Sequence, residues 1–166
     1  MTKLLKHIYI ICVMLMFVVA QSCTKINDEQ IPSYPVNLNL STAGYWQTYG
    51  VTSPGMYRVF NAVEHIPANY PYVATSRTGF GGVLLVSDIY SGEPMAYDMS
   101  CPVERRADVR IRIEEPSYEA VCDKCGSRYD VMSGWGAPLS GKAFVQKVGL
   151  SRYSVVKTGS GYNVIN

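Results

Sequence analysis

An all-β domain of short antiparallel strands is expected from three features of this 166-residue chain. Runs rich in branched and aromatic residues recur along it, Gly, Pro, Ser and Asp clusters separate them, and no stretch carries a convincing amphipathic helical period. Such strands close a sandwich or a small barrel around one core, and the roughly 130 residues from Val36 to Asn166 are enough to fold without a disulfide framework.

The elements follow in order. Residues 1–22 read as a lipoprotein-type signal peptide: Lys3 and Lys6 precede an unbroken apolar run from Ile8 to Ala20, too short for a comfortable membrane span. Val19-Ala20-Gln21-Ser22-Cys23 resembles a bacterial lipoprotein cleavage site, which makes Cys23 the expected lipidated residue and places the mature protein outside the cytoplasm on a membrane, at the periplasmic face or the cell surface. Residues 23–35 are polar, carry Pro32 and Pro35, and read as a tether. Residues 36–166 form a single domain. Removing Lys3 and Lys6 leaves 13 basic residues against 13 acidic ones, a balance that argues against a nucleic-acid partner.

Within the domain, Gly44 to Ala74 is tyrosine-rich and broken by proline and glycine, with one strand expected near Val59, Phe60, Ala62 and Val63 and a turn at Asn69 to Pro71. Val83-Leu84-Leu85-Val86 and Met95 to Met99 are strands. Val109 to Ile113 alternates, with Val109, Ile111 and Ile113 on one side and Asp108, Arg110 and Arg112 on the other, so its arginines form a solvated face that Asp108, Glu114 and Glu115 can neutralise. Tyr153 to Lys157 and Tyr162 to Ile165 flank a glycine-containing loop and make a closing hairpin.

Cysteine parity adds a chemical constraint. Of five cysteines, Cys12 leaves with the signal and Cys23 is expected to carry lipid, so the domain keeps Cys101, Cys122 and Cys125. An odd set outside the cytoplasm indicates a metal site, or one disulfide and a free thiol.

Ser100-Cys101-Pro102-Val103 and Cys122-Asp123-Lys124-Cys125-Gly126-Ser127-Arg128-Tyr129-Asp130 resemble the two cluster-binding loops of a Rieske iron-sulfur domain. The order of parts from Gly81 onward is collinear with that family, through Gly134-x-Gly136-x-Pro138 and a final hairpin introduced by Leu150. The resemblance implies a Rieske-like antiparallel sandwich or barrel with two metal-loop hairpins at one end. A Rieske domain holds a [2Fe-2S] cluster through two cysteines and two histidines. Here Val103 and Cys125 stand where the histidines would be, so two-imidazole chemistry does not carry over.

Three readings stay open. Cys101, Cys122 and Cys125 could ligate a [2Fe-2S] cluster or a single Fe or Zn ion, with Glu104, Asp98, Asp123 or His65 as a fourth ligand, with electron transfer to a protein redox partner implied for iron and stability for zinc. The fold could instead be kept without cofactor, as a binding or structural lipoprotein with a disulfide among the same cysteines and with Tyr45, Trp46, Tyr49, Tyr70, Tyr72 and Trp135 as contact surfaces. Thiol exchange at Cys122 and Cys125 is the third, although Gly126 to Tyr129 predicts a turn into a strand rather than the helix that lowers a thiol pKa. No nucleophile–base pair or oxyanion arrangement points to an enzyme of the hydrolytic kind.

Overall fold

The computed structural model describes residues 26–166, and the signal peptide and Cys23 lie outside them. Seven antiparallel strands form one sheet, in the order β2 (Tyr57–Phe60), β4 (Val83–Ser87), β5 (Pro94–Asp98), β12 (Arg152–Thr158), β13 (Gly161–Ile165), β1 (Val36–Leu40) and β3 (Arg77–Thr78). The sheet curls into a nearly closed barrel. Its two edges meet through a side chain, the backbone N–H of Ala62 donating to Thr78 Oγ1 at 3.1 Å just past the end of β2.

A smaller lobe rests on the outside of this barrel. It comprises β6 (Ser100–Cys101) paired with β7 (Arg106–Arg110), and a four-stranded sheet ordered β11 (Ala137–Ser140), β10 (Arg128–Asp130), β9 (Glu119–Val121) and β8 (Arg112–Glu114). Strand β4 explains how the two bodies share a wall. All of its residues are buried, because Val83 and Leu85 point into the barrel with Leu38, Leu40 and Phe60, while Leu84 and Val86 point outward against Ile111, Tyr129 and Val131 of the lobe. A strand buried on both faces reads as an uninterrupted apolar run rather than an alternating one.

The expected strands at Val83, Met95 and the C-terminal hairpin are present. The hairpin turns on Gly159 and Ser160, with Gly159 at φ +64, where a left-handed backbone favours glycine. The alternating run at Val109 to Ile113 keeps its inward and outward sides, yet it is not one strand: it breaks at the buried Ile111, whose N–H donates to the Met99 carbonyl, and its halves join different sheets. Ala62 and Val63 belong to a turn closed by the Asn61–Ile66 bridge, not to a strand.

Two short helices depart from the purely β expectation. In α1 (Ala43–Tyr49) Thr42 caps the first turn by accepting from the Tyr45 N–H, and Trp46 and Tyr49 pack onto the barrel end, Trp46 lying 4.5 Å from the Tyr162 ring. The second helix, α2 (Gly141–Gln146), buries only Ala143. Helices this short depend on tertiary packing rather than on propensity, and so leave little periodic trace.

The segment read as a tether has, in its described part, a docked course. Asn27 bridges Val148 in parallel, its N–H donating to the Lys147 carbonyl and its carbonyl accepting from Gly149, and Ser151 Oγ donates to the Asp28 carbonyl. This stretch satisfies backbone groups on the edge offered by residues 147–149.

Candidate metal centre

Cys101, Cys122 and Cys125 converge: their sulfurs all lie within 4.8 Å of one another, and the Cys101 and Cys125 sulfurs are 3.6 Å apart. All three are free thiols; Cys101 and Cys122 are fully buried and Cys125 is partly exposed.

Each cysteine is positioned by a specific local device. Cys101 follows a bracket built on Asp98, a carboxylate with no solvent exposure. Asp98 accepts from the N–H groups of Phe80 and Gly81, from the N–H and hydroxyl of Ser100, and from the Tyr153 hydroxyl. Burying a carboxylate is costly unless its lone pairs are filled, and here they are, so the chain entering Cys101 has one conformation. A side chain at Gly81 would strike the Ser100 backbone nitrogen at 2.5 Å, so only glycine lets the two segments approach. Beyond Cys101 the chain turns back at once, the Arg105 N–H donating to the Cys101 carbonyl.

Cys122 and Cys125 sit on a loop between β9 and β10 that closes on itself. The Cys122 N–H donates to the Ser127 carbonyl, and the Cys122 carbonyl accepts from Gly126. The loop is anchored below by Ser127, whose hydroxyl stands 3.1 Å from the Cys125 sulfur and accepts from the Ala143 N–H at the start of α2 at 3.0 Å. Across the top, Lys124 of this loop pairs with Glu104 of the first at 2.8 Å, tying the two together.

The thiols differ in acidity. Burial pushes Cys101 up to about 12, with neighbouring Cys122 adding to the effect. Burial also works against ionising Cys125, but hydrogen bonds from Ser127 outweigh it, helped by the other two cysteines, and hold this thiol below the ordinary value. Cys125 is therefore the sulfur that ionises more readily and Cys101 the one that holds its proton more tightly. The buried Tyr129 hydroxyl, 3.9 Å from the Cys101 sulfur, is pushed up by burial and by the adjacent sulfurs, and stays a neutral donor.

Three of the four residues considered as a fourth ligand are held by other partners, and the fourth, His65, stands apart from the sulfurs. Asp98 is saturated by its bracket. Glu104 pairs with Lys124, Asp123 with Arg112 at 2.9 Å, and His65 stands edge-on to Tyr72 beside the Asn61–Ile66 turn. Among the described residues no carboxylate or imidazole joins the three sulfurs. Val103 packs against the lobe's apolar core.

The chemistry of the group follows: a buried cluster of three thiols, able to coordinate a metal ion, in a nearly closed β-barrel protein. Ser127 and Tyr129 were visible in the sequence only as part of the Gly-Ser-x-Tyr-Asp run; their contacts to sulfur depend on the loop folding back over β10, which spacing alone does not show. The chain matches no protein-family model, no curated protein and no solved structure in the comparisons made with each.

Proposed function

We propose that this chain is a lipid-anchored, extracytoplasmic protein whose Rieske-like domain binds one thiophilic metal ion, Fe or Zn, through Cys101, Cys122 and Cys125. The observation that carries the reading is the compact sulfur triangle. Thiolates about 2.3 Å from a tetrahedral ion lie about 3.8 Å from one another, and the Cys101–Cys125 separation of 3.6 Å is close to that spacing. A two-iron cluster needs donors for both irons, and the single triangle with Val103 beside it supplies only one such set.

Iron in such a site supplies a one-electron couple, and zinc supplies a redox-silent brace. The residues of the chain do the rest. Asp98 fixes the approach to Cys101, Ser127 stabilises the Cys125 thiolate, the Lys124–Glu104 pair holds the two loops at one distance, and Tyr129 keeps a donor on the Cys101 sulfur. Burial of Cys101 and Cys122 keeps bulk water from two of the three sulfurs, and the partly exposed Cys125 gives the site its face toward solvent and toward any redox partner. The signal segment and the Val-Ala-Gln-Ser-Cys run support the lipid anchor at Cys23.

The test is purification of the full chain in detergent under nitrogen, followed by elemental analysis and visible absorption. One equivalent of zinc, or of iron with thiolate charge-transfer bands, is the expected result. Metal-free protein from metal-replete cells, with Cys101 and Cys125 joined by a disulfide in non-reducing peptide mapping, would establish the cofactor-free reading instead.

A further inference from the structure

A cleft lies away from the cysteines, where β5 and β12 part. Among the described residues these two strands pair only at Arg152 with Tyr97 and Tyr153 with Ala96; beyond that point β12 keeps a ladder with β13 alone, and β5 with β4 alone. A cleft of about 1030 Å³ opens there, lined by Pro94 and Met95 on one strand and by Ser154 and Val155 on the other. The polypeptide at 28–34 and the turn at 88–93 form its walls.

Three properties describe what fits. First, among the described residues β12 has a strand partner on one side only from Ser154 onward, and the alternation of the ladder turns the Val155 N–H and C=O toward the open edge, where an added strand can pair with them. Second, the rim is acidic: Asp28, Glu29, Asp88 and Glu93 face a single guanidinium, Arg152, already paired with Asp28 at 3.0 Å. Glu29, Asp88 and Glu93 form no ion pair among the described residues, and hydrogen bonds from the Ser91 and Tyr90 N–H groups keep Asp88 ionised. Third, Trp135 stands at the cleft 61 % exposed, at φ +55, with the Arg152 guanidinium 5.9 Å from its ring. An indole this exposed, held in an uncommon backbone conformation, presents a flat face to cationic or apolar side chains.

We propose that this cleft binds an extended, basic peptide segment of a partner protein, which adds as a strand to the free edge of β12. Its main chain pairs with Val155, its apolar side chains contact Met95 and Val155, and its Arg or Lys side chains meet Glu29, Asp88 and Glu93 with Trp135 as a stacking platform. The site is independent of whether a metal binds at the cysteines.

The probe is a fluorescein-labelled hexapeptide alternating arginine and valine, titrated by anisotropy into the full chain in detergent. Saturable binding is expected, about tenfold weaker for the Glu29→Gln, Glu93→Gln double variant, since two exposed charge pairs together carry that order of effect. Trp135→Ala is expected to weaken binding as well, with the far-ultraviolet circular dichroism of both variants unchanged; neither Glu29 nor Glu93 uses its carboxylate in a hydrogen bond among the described residues. The same peptide N-methylated at alternate backbone nitrogens should lose binding, and one with glutamate for arginine should not bind. Equal binding of the N-methylated or the glutamate peptide, no binding of the parent peptide, or binding of a neutral hexasaccharide in its place overturns the proposal.

Discussion

The barrel and the lobe are held together by different physics. The barrel interior is aliphatic and aromatic, with Leu38, Leu40, Phe60, Val83, Leu85 and Val164 all fully buried, and its strands run through long ladders such as the five-pair hairpin of β12 with β13. The lobe has strands of two to five residues and a core containing two of the cysteines, and it covers its outer surface with ion pairs from Arg106, Arg110, Arg112 and Arg128. A body with a hydrophobic interior of its own can be rigid without help, whereas short strands around a polar-edged site lean on a neighbour and on whatever ties their loops. The difference separates scaffold from site.

The sharpest way to break this contrast is Leu38→Ala. Removing a fully buried side chain from the barrel should cost about 2–5 kcal/mol and lower the midpoint of the whole molecule in denaturant, since the lobe has no support without β4 and β5. A variant in which the lobe persists after the barrel melts would reverse the assignment of roles.

Cys122→Ser comes next, and its effect should be local. Metal uptake should fall from one equivalent toward none, with faster amide exchange in β8 to β10 and unchanged protection in β1 and β13. Uniform loss of protection would mean that the two bodies are one cooperative unit.

Tyr153→Phe probes the join between them. The Tyr153 hydroxyl donates to Asp98, and burial together with that carboxylate holds the phenol well above its ordinary value. Losing one donor to a buried charge should cost about 1.5–3 kcal/mol and loosen the turn that carries Cys101, read as increased exchange at the Ser100 N–H.

The smallest effect belongs to the lobe's surface. Guanidinium neighbours, Arg128 above all for Glu114 and Arg112 for Asp123, hold these carboxyls below their ordinary values. A depressed folded value means that the contribution is complete above the ordinary carboxylate range and is lost as pH falls through the folded values. Arg128→Ala should therefore lower the thermal midpoint slightly at neutral pH and low salt, and not at all near pH 2 or at high salt, in a series of melts.

Most of the strands were legible because their burial pattern is local. Val83 to Val86 and the closing hairpin declare themselves by composition and glycine placement. The break at Ile111 was not, since the residue keeps the alternation and only its bond to Met99 shows that the chain changes sheets there. The helix α1 was hidden among tyrosines, although Thr42 three residues before Tyr45 was a usable capping signal. At the candidate centre, the convergence of Cys101 with the other two followed from the motif order, but the engagement of Asp98, Glu104 and Asp123 elsewhere depends on partners that spacing does not show. Spacing can nominate a ligand; competing hydrogen bonds decide whether it is free.

Strand β4 has a parity consequence for anyone altering this protein. Positions 84 and 86 speak only to the cysteine-bearing side, and positions 83 and 85 only to the barrel interior. A library confined to the even positions, with their partners Tyr97 and Met95 across the ladder, could retune how the loops are seated while leaving the chassis untouched. Shifting β4 by a single residue would exchange the two vocabularies at once, so its register against β5 decides which body each side chain serves.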